Sequence, residues 1–291
     1  MLPAPVCAFD IAPDGVATPC AINKPQNASW RWLNFDLGDP ALGDWLSDKV
    51  PTSVTVALQL TQIRPRFNIL AVAALINLRG VKLKPGALPE DMIGLHICAT
   101  ADRFITVRKL TIMVLEATRQ EMVLGKSAKT MSAFLAEMAK GLTQRIKAVS
   151  LISEDRVDEL QEVIITKIPI NAGEVLNLRQ SLVKMRRLIG SQRKALQDLS
   201  IAESGLPDVK TAPHLLETTN RAARTIEALD VARDRMAVMQ KHLDIEAKAA
   251  MGRNGYVLSI VARIFVRLVF LTGLFGVNLD GAPRLDTQWA I

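Results

Sequence analysis

The sequence predicts an α/β domain followed by a long helical hairpin and a stalk helix that runs into one transmembrane helix. Three patterns carry this reading. Short β-rich runs separated by turn residues fill roughly the first 125 positions, apolar residues then recur at three- and four-residue steps from Lys129 onward, and one long apolar run lies near the C-terminal end.

Trp30 to Phe35 alternates large apolar and polar groups, as a strand with one buried face does, and Pro40 to Leu46 (PALGDWL) reads as a short helix opened by proline. Val54 to Leu60, Ile69 to Leu78, Met92 to Thr100, Phe104 to Val107 and Leu110 to Leu115 are short β-rich runs. Turn chemistry such as Lys84-Pro85-Gly86 and Leu88-Pro89-Glu90-Asp91 divides them. Strands in quick succession imply a sheet with helices packed on it, and this domain is assigned to residues 1–128.

From Lys129 the period changes. Met131, Phe134, Leu135, Met138, Leu142, Ile146, Val149 and Ile152 form a helical stripe that Val157, Leu160, Val163 and Ile164 continue, and Pro169 ends it. A second helix starts near Asn171 and stops by Gly205-Leu206-Pro207, so residues 129–206 make an antiparallel hairpin. Pro213 opens a third helix in which no further proline occurs before Asn278. Unbroken, it would be about 100 Å long. Its stalk portion, residues 207–254, carries an intermittent stripe of Leu215, Ile226, Leu229, Met236, Met239 and Leu243 beside dense mixed charge, which suits a seam between helices of several subunits.

Tyr256 to Val277 is the one run long enough to cross a bilayer, and residues 255–278 are assigned to that span. Its fourteen Leu, Ile, Val and Phe residues from Val257 to Val277 favour insertion by on the order of 6 to 7 kcal/mol, and Arg263 with Arg267 cost about 5 to 7. The two arginines are four apart and share one face, which partner helices, water or lipid phosphates can accommodate. A buried helix in a soluble domain would be equally troubled by them.

Composition narrows the class. The formal charge of +7 comes from 36 basic and 29 acidic residues, largely interspersed, and aromatics are only 4%, so no basic stripe with interleaved aromatics marks a nucleic-acid surface. Cys7, Cys20 and Cys98 are an odd, scattered set that argues against a disulfide framework. The N-terminus has no basic n-region, and Lys241, Lys248 and Arg253 precede the span, which places the N-terminal bulk in the cytoplasm. There is no Gly-rich phosphate loop, nucleophile elbow or HExxH, and no enzyme or cofactor is expected.

Several segments together identify a resemblance. They are Trp30-x-Trp32-Leu33 with Pro40 and Trp45-Leu46; Leu78-Arg79-Gly80-Val81-Lys82-Leu83-Lys84-Pro85-Gly86 with Pro89-Glu90-Asp91-Met92; Val231-Ala232-Arg233-Asp234-Arg235; and Tyr256 to Ala262 with Phe270 to Asn278. In this order they resemble the CorA-like family of divalent-metal transporters, most of all its zinc-transporting ZntB branch. The resemblance implies a cytoplasmic α/β/α sandwich, a funnel-shaped homopentamer in a bacterial inner membrane, and a transported divalent cation, zinc by branch. It also implies a Gly276-Val277-Asn278 signature at the outer mouth. Asn278 would hold a hydrated cation there, with Gly276 permitting close backbone approach and Val277 in the middle position. The face Leu258, Ala262, Val266, Val269 and Gly273 would line the channel.

Some positions depart from that pattern. Only Leu279 to Ile291 follow the signature, too few for the family's second transmembrane helix, so residues 279–291 read as an outer-loop remnant of a truncated chain. Arg267 stands where the family has proline, and Arg263 replaces a small residue. A degenerate, non-transporting member serving as a single-span helical scaffold is therefore the alternative. His96 and Cys98 share a strand face at i and i+2, so paired metal ligation competes with a core role, while His214 and His242 read as solvated stalk residues.

Overall fold

The computed structural model describes residues 2–26, 28–61, 64–70, 73–82, 91–166, 170–202 and 206–276. Contacts divide the chain into two units, residues 1–237 and residues 238–291.

The first unit is built on a seven-stranded sheet. Its strands are β1 (Cys7–Ile11), β2 (Ala17–Pro19), β3 (Trp30–Asp36), β4 (Arg66–Leu70), β5 (Ala73–Val81), β6 (Met92–Ala99) and β7 (Arg103–Arg108), in the spatial order β2-β1-β3-β7-β6-β5-β4. Among the described strands only β3 and β7 pair in parallel, with Trp32 opposite Phe104. The alternation in WRWLNF does what a period of two requires, sending Trp30 and Trp32 into one buried layer and Leu33 and Phe35 into the other. A sheet buried on both faces reads as nearly continuous apolar runs, and β5 to β7 do so.

Helices α1 (Leu42–Ser47) and α2 (Thr52–Gln59) close one face, where Trp45 packs 5.0 Å from the Phe35 ring centroid and Leu46, Val54 and Leu58 are buried. The other face is covered by α3 (Met113–Val123) and α4 (Met131–Ile165). There Phe134 of α4 sits between Trp30, Trp32 and Phe104, with ring centroids 5.1, 5.4 and 5.1 Å away. Trp32 donates its indole N–H to Thr106 Oγ1 at 3.0 Å, so the largest fully buried ring leaves no orphaned donor. Gly80 lets α4 approach the sheet closely: a Cβ there would lie 2.6 Å from Ile112 Cγ2 and 3.0 Å from Leu142 Cδ2, so both side chains would have to shift. The α/β/α sandwich is thus the architecture of this unit.

Three sequence expectations are corrected here. Val54 to Leu60 is helix, not strand: Pro51 sets the chain direction just before α2, and Val54, Ala57 and Leu58 are buried at helical spacing despite the β-branched composition. Leu110 to Leu115 is no strand either, because Ile112 makes only an isolated bridge to Lys82 before α3 begins, after which Val114, Thr118 and Met122 step by four. Ile69 to Leu78 is two antiparallel strands, β4 and β5, in place of one run. β1 and β2, unmarked in the sequence pattern, form the edge that carries Asp10.

The helical part follows the predicted order. Thr130 caps α4, its hydroxyl accepting from the Ala133 N–H at 3.1 Å, and Asn171 caps α5 (Ala172–Ser200), accepting from the Gly173 N–H at 2.9 Å. Pro169 and Gly205, expected as breakers, lie outside the described residues; α5 itself stops at Ser200. α4 and α5 run antiparallel, as Arg156 pairing with Glu174 and Ser153 meeting Met185 require. α6 spans Ala212–Gly276 and is assigned as one helix of 65 residues, with Pro213 in its first turn.

Within the first unit, three positions of the expected α6 stripe, Leu215, Leu229 and Met236, are buried by their own chain, which corrects the expectation of an intersubunit seam at those positions, while Ile226 is half-buried. Arg186 of α5 pairs with Asp230 at 3.1 Å, and Arg235 reaches Asp158 of α4 at 2.5 Å.

Candidate functional site

The second unit consists, in its described part, of the α6 segment from Val238 to Gly276. Strong helix formers such as Ala, Lys and Glu fill its first part and apolar residues its part from Tyr256, and no proline intervenes before Gly276. Every residue from Met251 to Phe275 is exposed, and none of its most apolar window is buried. Among the described residues this is one helix long and apolar enough to cross a membrane. Helical hydrogen bonding satisfies the backbone of such a segment, and Thr272 turns its hydroxyl back to the Val269 carbonyl at 3.1 Å.

The expected channel face is therefore helical throughout. Leu258, Ala262, Val266, Val269 and Gly273 succeed one another by four, four, three and four residues, so they form one stripe, and all five are exposed. A Cβ added at Gly273 would meet nothing within 4 Å. The described part of α6 reaches Gly276, whereas Val277 and Asn278, the remainder of the expected mouth, lie outside the described residues. Arg263 and Arg267 each follow a stripe position by one residue, which puts them about 100° around the helix from it.

The other proposed ligands are placed by the sheet. His96 and Cys98 lie on one face of β6, opposite Asn77 and Leu75 of β5. Both are buried, and burial pushes the Cys98 thiol up to about 12, so it stays protonated and is a poor metal ligand. His96 Nδ1 is 2.9 Å from Asn77 Oδ1. Burial, then the charges of Arg79 and Arg66, hold its pKa down to about 4, which keeps the ring neutral. Among the described residues no group of three or more His, Cys, Asp or Glu side chains converges as a metal site. His214 is exposed, and exposed His242 places Nε2 3.3 Å from Glu246, as solvated helix residues do.

Sequence pattern alone misses one buried polar device. Arg31 of β3 forks onto Asp10 of β1, Nε to Oδ1 at 2.6 Å and Nη2 to Oδ2 at 2.9 Å, and its Nη1 donates to the Lys24 carbonyl at 3.0 Å. The hydrogen bond to Asp10 raises the Arg31 pKa further. Such a bidentate pair fixes the register of the sheet edge. Its signal, a lone Arg in an apolar strand, is present, but the partner lies 21 positions away.

These features agree with known proteins along nearly the whole chain. The model of the CorA-like Mg2+ transporter protein family matches residues 27–291. The chain belongs to that family. It is 30% identical over 260 residues to the divalent cation transporter CmaX of Pseudomonas aeruginosa, an alignment covering 88% of this chain and 78% of that protein. It is 29% identical to the zinc transport protein ZntB of Pectobacterium atrosepticum, over 98% of this chain and 88% of the relative. The solved structure of full-length CmaX superimposes with a TM-score of 0.82 at 27% identity, covering 97% of this chain and 90% of that one. Membership in a transporter family also accounts for the lack of an enzymatic motif.

Proposed function

We propose that this CorA-family chain is a subunit of a homopentameric pore that carries divalent cations, zinc foremost, across the bacterial inner membrane with its sheet domain in the cytoplasm. The observation that supports this most is the apolar helix from Tyr256 to Phe275, exposed on all sides in its own chain. Water does not stabilise a surface of that kind; lipid and neighbouring copies do. The names of its relatives, zinc transport protein and divalent cation transporter, point to the cargo.

In this reading, Leu258, Ala262, Val266, Val269 and Gly273 line the lumen. Small and apolar linings bind a hydrated ion weakly and so let it pass, and they can close by dewetting. Arg263 and Arg267, off that stripe, face neighbouring helices or lipid phosphates in place of the cation. Gly276, Val277 and Asn278 form the mouth, where the Asn278 amide holds the hydration shell of the ion without stripping it.

The test is flux of Zn2+ into proteoliposomes containing the purified chain, compared with Asn278→Ala. The proposal expects saturable, dye-reported zinc entry that the substitution lowers by at least about tenfold, because every subunit forfeits one amide oxygen that bonds to the hydrated ion. Unchanged flux in the variant removes Asn278 from the mouth. A membrane-bound wild type that passes no divalent cation supports the non-transporting scaffold instead.

A further inference from the structure

Between Ala247 and Gly276, α6 carries four cations, Lys248, Arg253, Arg263 and Arg267, and no acidic residue. The last acid before this stretch is Glu246, which already faces His242 at 3.3 Å. The next in sequence is Asp280, after the Gly276 end. Arg253, Arg263 and Arg267 are exposed and form no salt bridge among the described residues.

The three arginines share a face. At about 100° per residue, Arg253, Tyr256, Arg263 and Arg267 fall within an arc of roughly 80°, which leaves out Lys248 and the stripe from Leu258 to Gly273. Along the axis, Arg263 and Arg267 stand about 10 and 16 Å past Tyr256, one turn apart. Residues 268–276 carry no charge, so the basic face occupies only the Tyr256 half of the span. A side chain on a helix leans toward the helix N-terminus, and a long cationic side chain extends to the interface. Both guanidinium groups therefore reach toward the headgroups on the Tyr256 side, where tyrosine itself favours the boundary.

Charges at that depth require an anion, and this helix does not supply one. Its backbone carbonyls are taken up by helical hydrogen bonds, and a second copy packed at the same depth presents the same carboxylate-free sequence. A lipid phosphate meets the need, because a planar guanidinium takes two phosphate oxygens in a fork. The net charge of the headgroup then discriminates. A zwitterionic lipid brings its own ammonium beside the arginines, whereas a phosphatidylglycerol headgroup adds only negative charge, and basic clusters at the membrane surface favour such lipids.

We propose that Arg253, Arg263 and Arg267 form a binding site for the phosphate of an anionic phospholipid in the leaflet on the Tyr256 side. Arg263 and Arg267 grip the phosphate, Arg253 meets the headgroup from the water side, and Ile260, on the same face, contacts an acyl chain. The site rests on the reading of α6 as a membrane span, and not on cation conduction.

The test is native mass spectrometry of the full-length chain in detergent, titrated with phosphatidylglycerol or phosphatidylethanolamine, which counts the lipid retained. Phosphatidylglycerol should bind at least about tenfold more tightly than phosphatidylethanolamine, and the double variant Arg263→Gln/Arg267→Gln should lose about tenfold or more of that affinity. Lys241→Gln/Lys248→Gln, which removes the same charge away from this face, should lose less than about threefold. Millimolar inorganic phosphate should leave the lipid bound, and melting of the sheet unit as in the wild type verifies that the variants fold. Equal retention of the two lipids, equal loss in the two double variants, or undiminished phosphatidylglycerol binding without the arginines overturns the site. Displacement by inorganic phosphate overturns the lipid as its ligand. Alkaline carbonate extraction separates the two possible failures: a chain held in the lipid pellet without headgroup preference refutes this site alone, whereas a chain released as a soluble protein refutes the span.

Discussion

Residues 30–36 include the polar Arg31, Asn34 and Asp36 and hide nearly all of their side chains, whereas the more apolar residues 256–275 hide none. Trp32 and Phe35 are 0% exposed in the sheet, whereas Phe265 and Phe270 are 61% and 68% exposed on α6. The difference teaches that apolar content announces only the need for a non-aqueous neighbour. In β3 the neighbours are Phe104, Phe134 and Trp45 of the same chain; for the C-terminal helix they must come from outside it. Substitutions should therefore register as reduced stability in the first region and as altered insertion or assembly in the second.

The largest effect is expected at the aromatic layer. Trp32→Ala removes a fully buried ring that packs on Phe9 and Phe134 and takes away the indole donor to Thr106, and should cost about 3 to 5 kcal/mol of stability in chemical denaturation of the sheet unit. A change below about 1 kcal/mol would mean that this layer is not the core.

On the membrane side, Arg263→Leu and Arg267→Leu should each favour insertion of the α6 segment by roughly 3 kcal/mol in a translocon-insertion assay, with the melting of the sheet unit unchanged. Equal insertion of the variants and the parent would show that the arginines are not at membrane depth, and would blur the contrast between the regions.

His96 makes the sheet unit sensitive to acid. Its folded pKa of about 4 lies below the ordinary value near 6.5, so the unfolded chain binds the extra proton first as pH falls. Stability from this group is complete above about pH 6.5 and declines by up to about 3 kcal/mol as pH falls through 6.5 toward 4. His96→Gln should flatten that part of the profile; an unaltered slope between pH 6.5 and 4 would assign the sensitivity to other groups. The smallest effect is at Gly80→Ala, whose new methyl meets Ile112 and Leu142 and should cost about 1 to 3 kcal/mol, a figure that melting of the purified chain checks.

Much of this architecture is legible from residue pattern. The alternation in β3, the long stripe from Met131 to Ile164, the helix start near Asn171 and the apolar run after Tyr256 are all local signals, and each element forms where its signal lies. The failures are also local in origin. Short β-branched runs such as TSVTVALQ do not distinguish a buried helix from a strand, and only the docking of α2 beneath Trp45 and the sheet decides. The stalk stripe misleads because burial against α4 and α5 leaves the same periodicity as a seam between subunits. The candidate mouth is legible only through resemblance, since Asn278 has no local pattern of its own. The Arg31–Asp10 fork depends on residues that the sheet brings together from distant positions.

The most direct test of the contrast between the two regions is extraction of native membranes with alkaline carbonate, with the full chain compared against a version ending at residue 250. The account predicts that the full chain stays with the lipid pellet and that the shortened one is released to the supernatant. A full-length chain recovered as a freely soluble protein would contradict the membrane span and, with it, the proposed cation pathway.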